Sequence, residues 1–176
     1  MAPHQIVVLG LPIPSDAPLF LGFIGVHVVA GLVCAVAGIV AMLSWKGKGR
    51  HPKFGKLYCW SLTVIFVTAT ALAIMRWAED WHLFVLGALS YGAASFGRIA
   101  MRRRWSGFVR LHISGMGLSY ILLLTAFYVD NGKNLPVWKD LSPTAYWAVP
   151  AAIGIPIMIW ALLYHRLVRR SDRASV

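Results

Sequence analysis

The chain has few charged residues and very few acidic ones. Charged side chains make up 13% of its 176 residues and hydrophobic ones 59%, and 17 Lys and Arg outnumber six Asp and Glu. Soluble globular domains carry about 25% charged residues, so this composition excludes an ordinary soluble protein and indicates a membrane protein. No Asp or Glu falls inside the long apolar segments. That absence argues against a carboxylate proton relay and against a cation-coupled transporter.

Cysteine is equally scarce, with Cys34 and Cys59 as the only two. Counted from the same membrane face, they differ in depth by roughly 10 Å, which is too far for a disulfide bond. Both are therefore predicted to be small packing residues. No nucleophile and base stand out together, which leaves open whether the protein is an enzyme. The hydroxyl residues of the second apolar segment are expected to bond their own helix; they are Ser61, Thr63, Thr68 and Thr70.

Five long apolar segments are the main feature that the sequence does contain. About 20 mostly apolar residues cross the roughly 30 Å of bilayer hydrocarbon, and continuous rather than alternating runs favour helices over strands. The sequence predicts an all-α integral membrane protein, a single five-helix bundle over 20–165. An external segment 1–19 precedes it and a basic cytoplasmic tail 166–176 follows. The predicted spans are 20–44, 57–75, 82–100, 111–129 and 146–165.

Lysine and arginine are concentrated in every second connection, at 45–56 and 98–110, and in the tail. By the positive-inside rule, this pattern places the N-terminus outside and the C-terminus in the cytoplasm. Topology and anionic lipids account for the net charge of +11, so we expect no nucleic-acid partner. On the outer side, Arg76 is placed to pair with Glu79 or Asp80. The residues predicted to contact an anionic lipid or ligand are Arg102, Arg103, Arg104 and Arg110.

Small residues recur at helical spacing, which allows a neighbouring backbone to come close. In the third segment small residues occur on almost every side of the helix. In two other segments they form a stripe along one side, which also contains a histidine. The first two segments and the next two also form similar hairpins around basic loops, which suggests an old duplication, although helices of any bundle look alike. The stripes are His27, Gly31, Cys34, Gly38 and Ala41 in the first segment, and His112, Gly115 and Ser119 in the fourth.

Histidine supplies the only chemical signal, because ionisable side chains within a bilayer are rare and often functional. One interpretation is haem b, held by axial histidines from two facing helices. His112 and His165 match in depth, whereas His27 and His82 differ by roughly 9 Å. Another is a mononuclear zinc or iron site; a third is plain packing. The candidate cofactor-binding residues are His27, His51, His112 and His165, and the candidate metal ligands are His51, His112 and His165.

Two short stretches carry a family resemblance. Gly49, His51, Gly55 and Lys56 follow a His-x-x-x-Gly-Lys pattern, and residues 111–120 read LHISGMGLSY. Together with the histidine of the first segment, they resemble a bacterial family of multi-pass membrane proteins catalogued as a domain of unknown function (DUF2306). The resemblance covers about 20–165 and implies a bacterial membrane protein, with no established reaction.

Three classes of function follow from these observations. The first is a histidine-lined site for a cofactor or a small apolar ligand such as a quinone. The second is electron transfer by a b-type haem protein, and the third is a structural or assembly subunit of a larger membrane complex or homo-oligomer. A coloured purified sample would indicate the haem protein, whereas co-purification with other subunits would indicate the assembly role.

Overall fold

The computed structural model of the protein describes residues 6–8, 11–13, 17–47, 49–136, 139–164 and 168. Within these residues the chain is helical apart from one short β hairpin. Each of the five long helices is long and apolar enough to cross a membrane, which confirms the predicted number of candidate spans. The helices are α1 (Pro18–Leu43), α2 (Arg50–Met75), α3 (Trp77–Arg103), α4 (Phe108–Asn131) and α5 (Pro143–Tyr164).

The helices extend beyond the apolar segments into polar sequence. The helix α2 begins at Arg50 rather than near residue 57, and α3 ends at Arg103. Lys and Arg are good helix formers, so the backbone hydrogen bonding continues past the last apolar residue. Pro18 stands at the start of α1, where proline is favoured. Pro150 and Pro156 lie inside α5, which nevertheless continues to Tyr164.

A β hairpin precedes α1 and was not predicted. Its strands are β1 (Ile6–Val8) and β2 (Leu11–Ile13), which pair antiparallel with Ile6 opposite Ile13. Strands of three residues carry too few alternations to show a period in the sequence. Pro12 lies within β2, where it is tolerated because proline, which has no backbone N–H, can occupy a sheet edge. The predicted external segment 1–19 therefore contains regular structure.

The chain divides into two compact units, and the boundary lies within α3. The first unit contains the β hairpin, α1, α2 and α3 up to Phe84. In it, α1 and α2 pack together as an antiparallel pair, which we call the first helical hairpin. The second unit begins at Val85, and its part of α3 pairs with α4 as the second helical hairpin.

In the second unit α5 packs on α4 through glycines. A side chain at Gly117 would contact the Met158 sulfur at 3.0 Å, and one at Gly154 would collide with Ile121. Gly132 in the 3₁₀ turn after α4 lies against the ring of Tyr146, where an added Cβ would come within 2.6 Å. Close approach of helices at small residues is the usual packing mode of membrane helices.

Candidate functional site

The candidate site of the first unit is built around His27, which lies about three turns into α1. Its Nδ1 lies 2.9 Å from the hydroxyl oxygen of Thr68 on α2. That hydroxyl lies 2.8 Å from the Val64 carbonyl oxygen and 3.0 Å from that of Ile65. Thr68 is buried, with only 5% of its surface exposed. A polar relay thus joins the two helices within a strongly apolar pair.

His51 occupies the opposite end of the same hairpin. It is the second residue of α2, and its Nδ1 donates to the Ala41 carbonyl oxygen on α1 at 2.9 Å. His27 and Ala41 are separated by 14 positions on one helix, which is about 21 Å along its axis. The two histidines of this hairpin therefore serve separate sites and do not share one iron. Between them, the Cys34 thiol donates to the Tyr58 carbonyl oxygen at 3.6 Å.

The second helical hairpin has its own histidine contact. His112 of α4 donates from Nδ1 to the Gly97 carbonyl oxygen of α3 at 3.1 Å. The backbones touch at this point, since a Cβ added to Gly115 would lie 2.8 Å from the Gly97 Cα. Further along, the Ser90 hydroxyl donates to the Ser119 carbonyl oxygen at 2.9 Å. The predicted stripe of the fourth segment therefore does face a neighbouring backbone, which confirms that expectation.

The two helical hairpins repeat the same pair of bonds. In each, a histidine near the start of the second helix donates to a carbonyl near the end of the first. Each hairpin also has a second bond, about two helical turns from the histidine bond. There, a small thiol or hydroxyl side chain of the first helix donates to a backbone carbonyl oxygen of the second helix. The spacing along each helix is the same. The partners seven residues apart are Cys34 and Ala41, His51 and Tyr58, Ser90 and Gly97, and His112 and Ser119.

These bonds define the tautomer of each histidine. A carbonyl oxygen only accepts, so Nδ1 carries the proton in His51 and in His112. The Thr68 hydroxyl lies within bonding distance of two carbonyls of its own helix, and where it donates to one of them its oxygen accepts the Nδ1–H of His27. In the neutral form all three rings have an unprotonated Nε2. That nitrogen is a hydrogen-bond acceptor and is also the form that ligates metals.

An apolar groove runs along the first helical hairpin at the level of His27, although neither His27 nor Thr68 belongs to its lining. It has a volume of about 450 Å³. Val26 and Val29 of its α1 wall are more than half exposed, so in a bilayer the groove opens to the lipid. Its α2 wall contains Val64, whose carbonyl oxygen accepts from Thr68. The complete lining is Gly25, Val26, Val29, Ala30, Val33, Trp60, Ser61 and Val64.

The basic residues of the loop 98–110 lie at the end of α3 and at the start of α4. Arg102 and Arg103 end α3, and Arg104 has a positive φ of 53°. Its guanidinium carbon lies 4.9 Å from the centroid of the Phe108 ring, which is a cation–π contact. Arg102, Arg103, Arg104 and Arg110 are all exposed. Where α2 meets α3, Arg76 pairs with Asp80 at 3.5 Å, as the sequence indicated.

Several sequence predictions fall beyond the described structure. His165 and, apart from Val168, the basic tail lie outside the described residues, so the metal set of His51, His112 and His165 stays a prediction. Within the described residues of either unit, no three His, Cys, Asp or Glu side chains come together as a metal site would require. Thr63, Thr68 and Thr70 bond their own helix, which confirms that interpretation for the three threonines, whereas Ser61 shows no such bond among the described residues. What the sequence did not reveal is that Thr68 also binds His27.

No protein-family model, curated protein or solved structure matches this chain. The resemblance of the histidine-bearing stretches to the uncharacterised bacterial family therefore stays a prediction.

Proposed function

We propose that this chain is a five-span protein of the bacterial inner membrane that binds a small apolar molecule at His27. Its N-terminus is outside and its C-terminus is cytoplasmic. The ligand has a hydrocarbon body and a polar head with a hydrogen-bond donor, as a quinol or another hydroxylated apolar molecule has. Five apolar helices and the distribution of basic residues support the membrane part of this proposal.

The observation that carries the ligand proposal is the relay from His27 through Thr68 to the backbone of α2. It places the ring proton on Nδ1, and the neutral ring therefore presents an acceptor at Nε2. Inside a bilayer such an acceptor has few partners, because the surrounding hydrocarbon offers no donor. A hydroxyl on an apolar ligand satisfies it, whereas a quinone carbonyl does not. This difference predicts a preference for the reduced, hydroxyl-bearing form.

In this proposal the groove supplies the apolar half of the site, and Val64 connects its α2 wall to the relay. It is formed by valines and small residues of α1 and by Trp60 and Val64 of α2. Its volume of about 450 Å³ falls within the range of small-molecule sites, about 300–1,000 Å³. An open side toward lipid gives an apolar molecule direct entry from the bilayer.

Binding of a short-chain ubiquinol and of the matching ubiquinone to detergent-purified protein tests this proposal. We expect the quinol to bind at least five-fold more tightly, since one hydrogen bond is worth about 1 kcal/mol. Thr68→Val should reduce that preference, because it frees the His27 ring to adopt the other tautomer. Thr63→Val is the matched control, since Thr63 makes the same bond to its own helix and none to a histidine. Equal binding of both forms by the wild type would refute the assignment.

A b-type haem protein is the second candidate, and one observation favours it. The Nδ1 of both His51 and His112 is held by a backbone carbonyl, which is the orientation that ligating histidines adopt. A haem bound by either histidine would supply one-electron chemistry. The absorption spectrum of purified protein tests this candidate. A Soret band that disappears in His112→Ala supports it, and a colourless, fully folded sample excludes it.

A further inference from the structure

A second groove lies at the other end of the first helical hairpin, where α1 ends and α2 begins. Its volume is about 480 Å³. Ile39, Val40 and Leu43 of α1 form an apolar wall, and Ser44, Trp45 and Arg50 complete it. Both grooves belong to the first unit, but this one combines hydrocarbon with a cation, whereas the groove beside His27 has none.

The depth of this groove corresponds to the lipid head groups. The helix α1 contains 26 residues and is about 39 Å long, which exceeds the roughly 30 Å of hydrocarbon. Its last turn therefore reaches the head-group level. Trp45 follows that turn and is 86% exposed. An exposed indole at this level is typical of the membrane interface, where the ring contacts acyl chains and the N–H stays wet.

The charge of the groove favours an anion. Arg50 is exposed, and its guanidinium makes no ion pair or hydrogen bond with any residue that the structure describes. A guanidinium binds a phosphate through two parallel hydrogen bonds. No acidic residue occurs between Ala17 and Ala78, so nothing nearby in sequence competes for it.

Lys46 adds positive charge to this end of the hairpin, but its ammonium is already hydrogen-bonded to the protein backbone. Its ammonium donates to the carbonyl oxygens of Ala41 and Met42 at the end of α1. Burial lowers the pKa of this ammonium below its ordinary value, because desolvation disfavours the charged form. The position of Lys46 is thus held by the helix end, and Arg50 is left as the residue that contacts a ligand.

We propose that this groove binds one anionic phospholipid, with its phosphate at Arg50 and the upper part of an acyl chain along Ile39, Val40 and Leu43. The proposal is independent of the ligand at His27. It also differs from a general attraction of basic loops for anionic lipid, because it assigns both the head group and the chain to named residues. A free phosphate would use Arg50 but would gain nothing from the apolar wall.

Native mass spectrometry of the full chain in detergent tests this proposal, using equal amounts of phosphatidylglycerol and phosphatidylcholine. We expect the wild type to retain phosphatidylglycerol preferentially. Arg50→Gln should weaken its retention about five-fold, since one basic residue contributes about 1 kcal/mol to anionic-lipid binding. Lys56→Gln is the matched control, because it removes the same charge from the same helix at an exposed position outside the groove. It should change retention by less than two-fold.

Leu43→Ser tests the apolar wall without changing the charge, and it should also weaken retention. Leu43 is 83% exposed, so the substitution leaves the packing of α1 on α2 unchanged. Thermal unfolding followed by circular dichroism confirms that each variant is folded. Equal losses in Arg50→Gln and Lys56→Gln would show diffuse attraction and overturn the proposal. Undiminished retention by Leu43→Ser, or full competition by soluble glycerol phosphate, would overturn it as well.

Discussion

At the scale of single residues, the closest packing occurs where glycine faces glycine. Gly97 and Gly115 bring the backbones of α3 and α4 into contact, and the Gly97 carbonyl oxygen thereby comes within 3.1 Å of the His112 ring. A bulkier residue at either position would move the carbonyl away from the imidazole. The histidine bond therefore depends on two residues that have no side chain of their own.

Gly115→Ala should destabilise the second helical hairpin. The added Cβ would lie 2.7 Å from the Ala93 carbonyl oxygen and 2.8 Å from the Gly97 backbone nitrogen, and backbone atoms cannot rotate out of its way. Overpacking of this kind costs about 1–3 kcal/mol. Unfolding in mixed detergent micelles, followed by circular dichroism, measures it.

The control for this variant is Gly92→Ala on α3. Apart from the backbone of its own helix and its chain neighbours, no described residue comes within 4 Å of a Cβ added there, and alanine favours a helix over glycine by up to about 1 kcal/mol. We expect Gly92→Ala to be neutral or stabilising. A similar loss in both variants would contradict the packing argument.

At the scale of elements, each helical hairpin is held by polar contacts between apolar helices. Cys34 in the first and Ser90 in the second occupy the same place, two turns from the carbonyl that the histidine binds. Both helices that follow the basic loops also begin after a glycine with positive φ, Gly49 at 122° and Gly107 at 66°. Shared bonds, shared spacing and shared helix starts together support the duplication that the sequence suggested.

If the two positions are equivalent, they should tolerate each other's side chain. Ser90→Cys keeps a donor directed at the Ser119 carbonyl oxygen, so we expect it to be more stable than Ser90→Ala. The loss in Ser90→Ala should be roughly 0.6–1.7 kcal/mol, the range of hydrogen bonds between membrane helices. Unfolding in mixed micelles measures both variants.

Ser95→Ala is the control for the Ser90 variants. Ser95 lies on the same helix and makes no side-chain hydrogen bond within the described part of the second unit. Ser95→Ala should therefore leave the free energy of unfolding almost unchanged. If Ser90→Cys were as unstable as Ser90→Ala, the bond would contribute nothing and the similarity of the hairpins would have no energetic basis.

The sequence does not predict which residue each histidine contacts. The length of the apolar segments predicts the five helices, and small residues at spacings of three and four predict the helix faces that pack. The register between α1 and α2 is not encoded in hydropathy, because a membrane helix is apolar on every side. The pairing of His27 with Thr68 could not be read from composition, since the bond of Thr68 to its own helix already accounted for the hydroxyl.

At the scale of the whole molecule, the orientation in the membrane connects the grooves to function. The groove at Arg50 lies at the basic end of the first helical hairpin, and His27 lies nearer to its other end. If the positive-inside rule holds for this chain, Arg50 contacts the cytoplasmic leaflet and the ligand of His27 enters from the outer half of the bilayer. A reversed orientation would exchange the two leaflets and remove the cytoplasmic anionic surface from the argument.

Single cysteines in the connections decide the orientation. In a background with Cys34→Ala and Cys59→Ala, Ser142→Cys before α5 and Ser106→Cys between α3 and α4 both lie at exposed positions. A membrane-impermeant maleimide added to intact spheroplasts should label the Ser142→Cys variant and should label Ser106→Cys only after the membrane is broken. The orientation is predicted from the basic residues of two loops and the tail. Neutralising Arg102, Arg103 and Arg104 together should therefore produce a population labelled at both positions. Labelling of Ser106→Cys in intact spheroplasts of the otherwise unchanged chain would place the basic loops outside and would contradict the orientation.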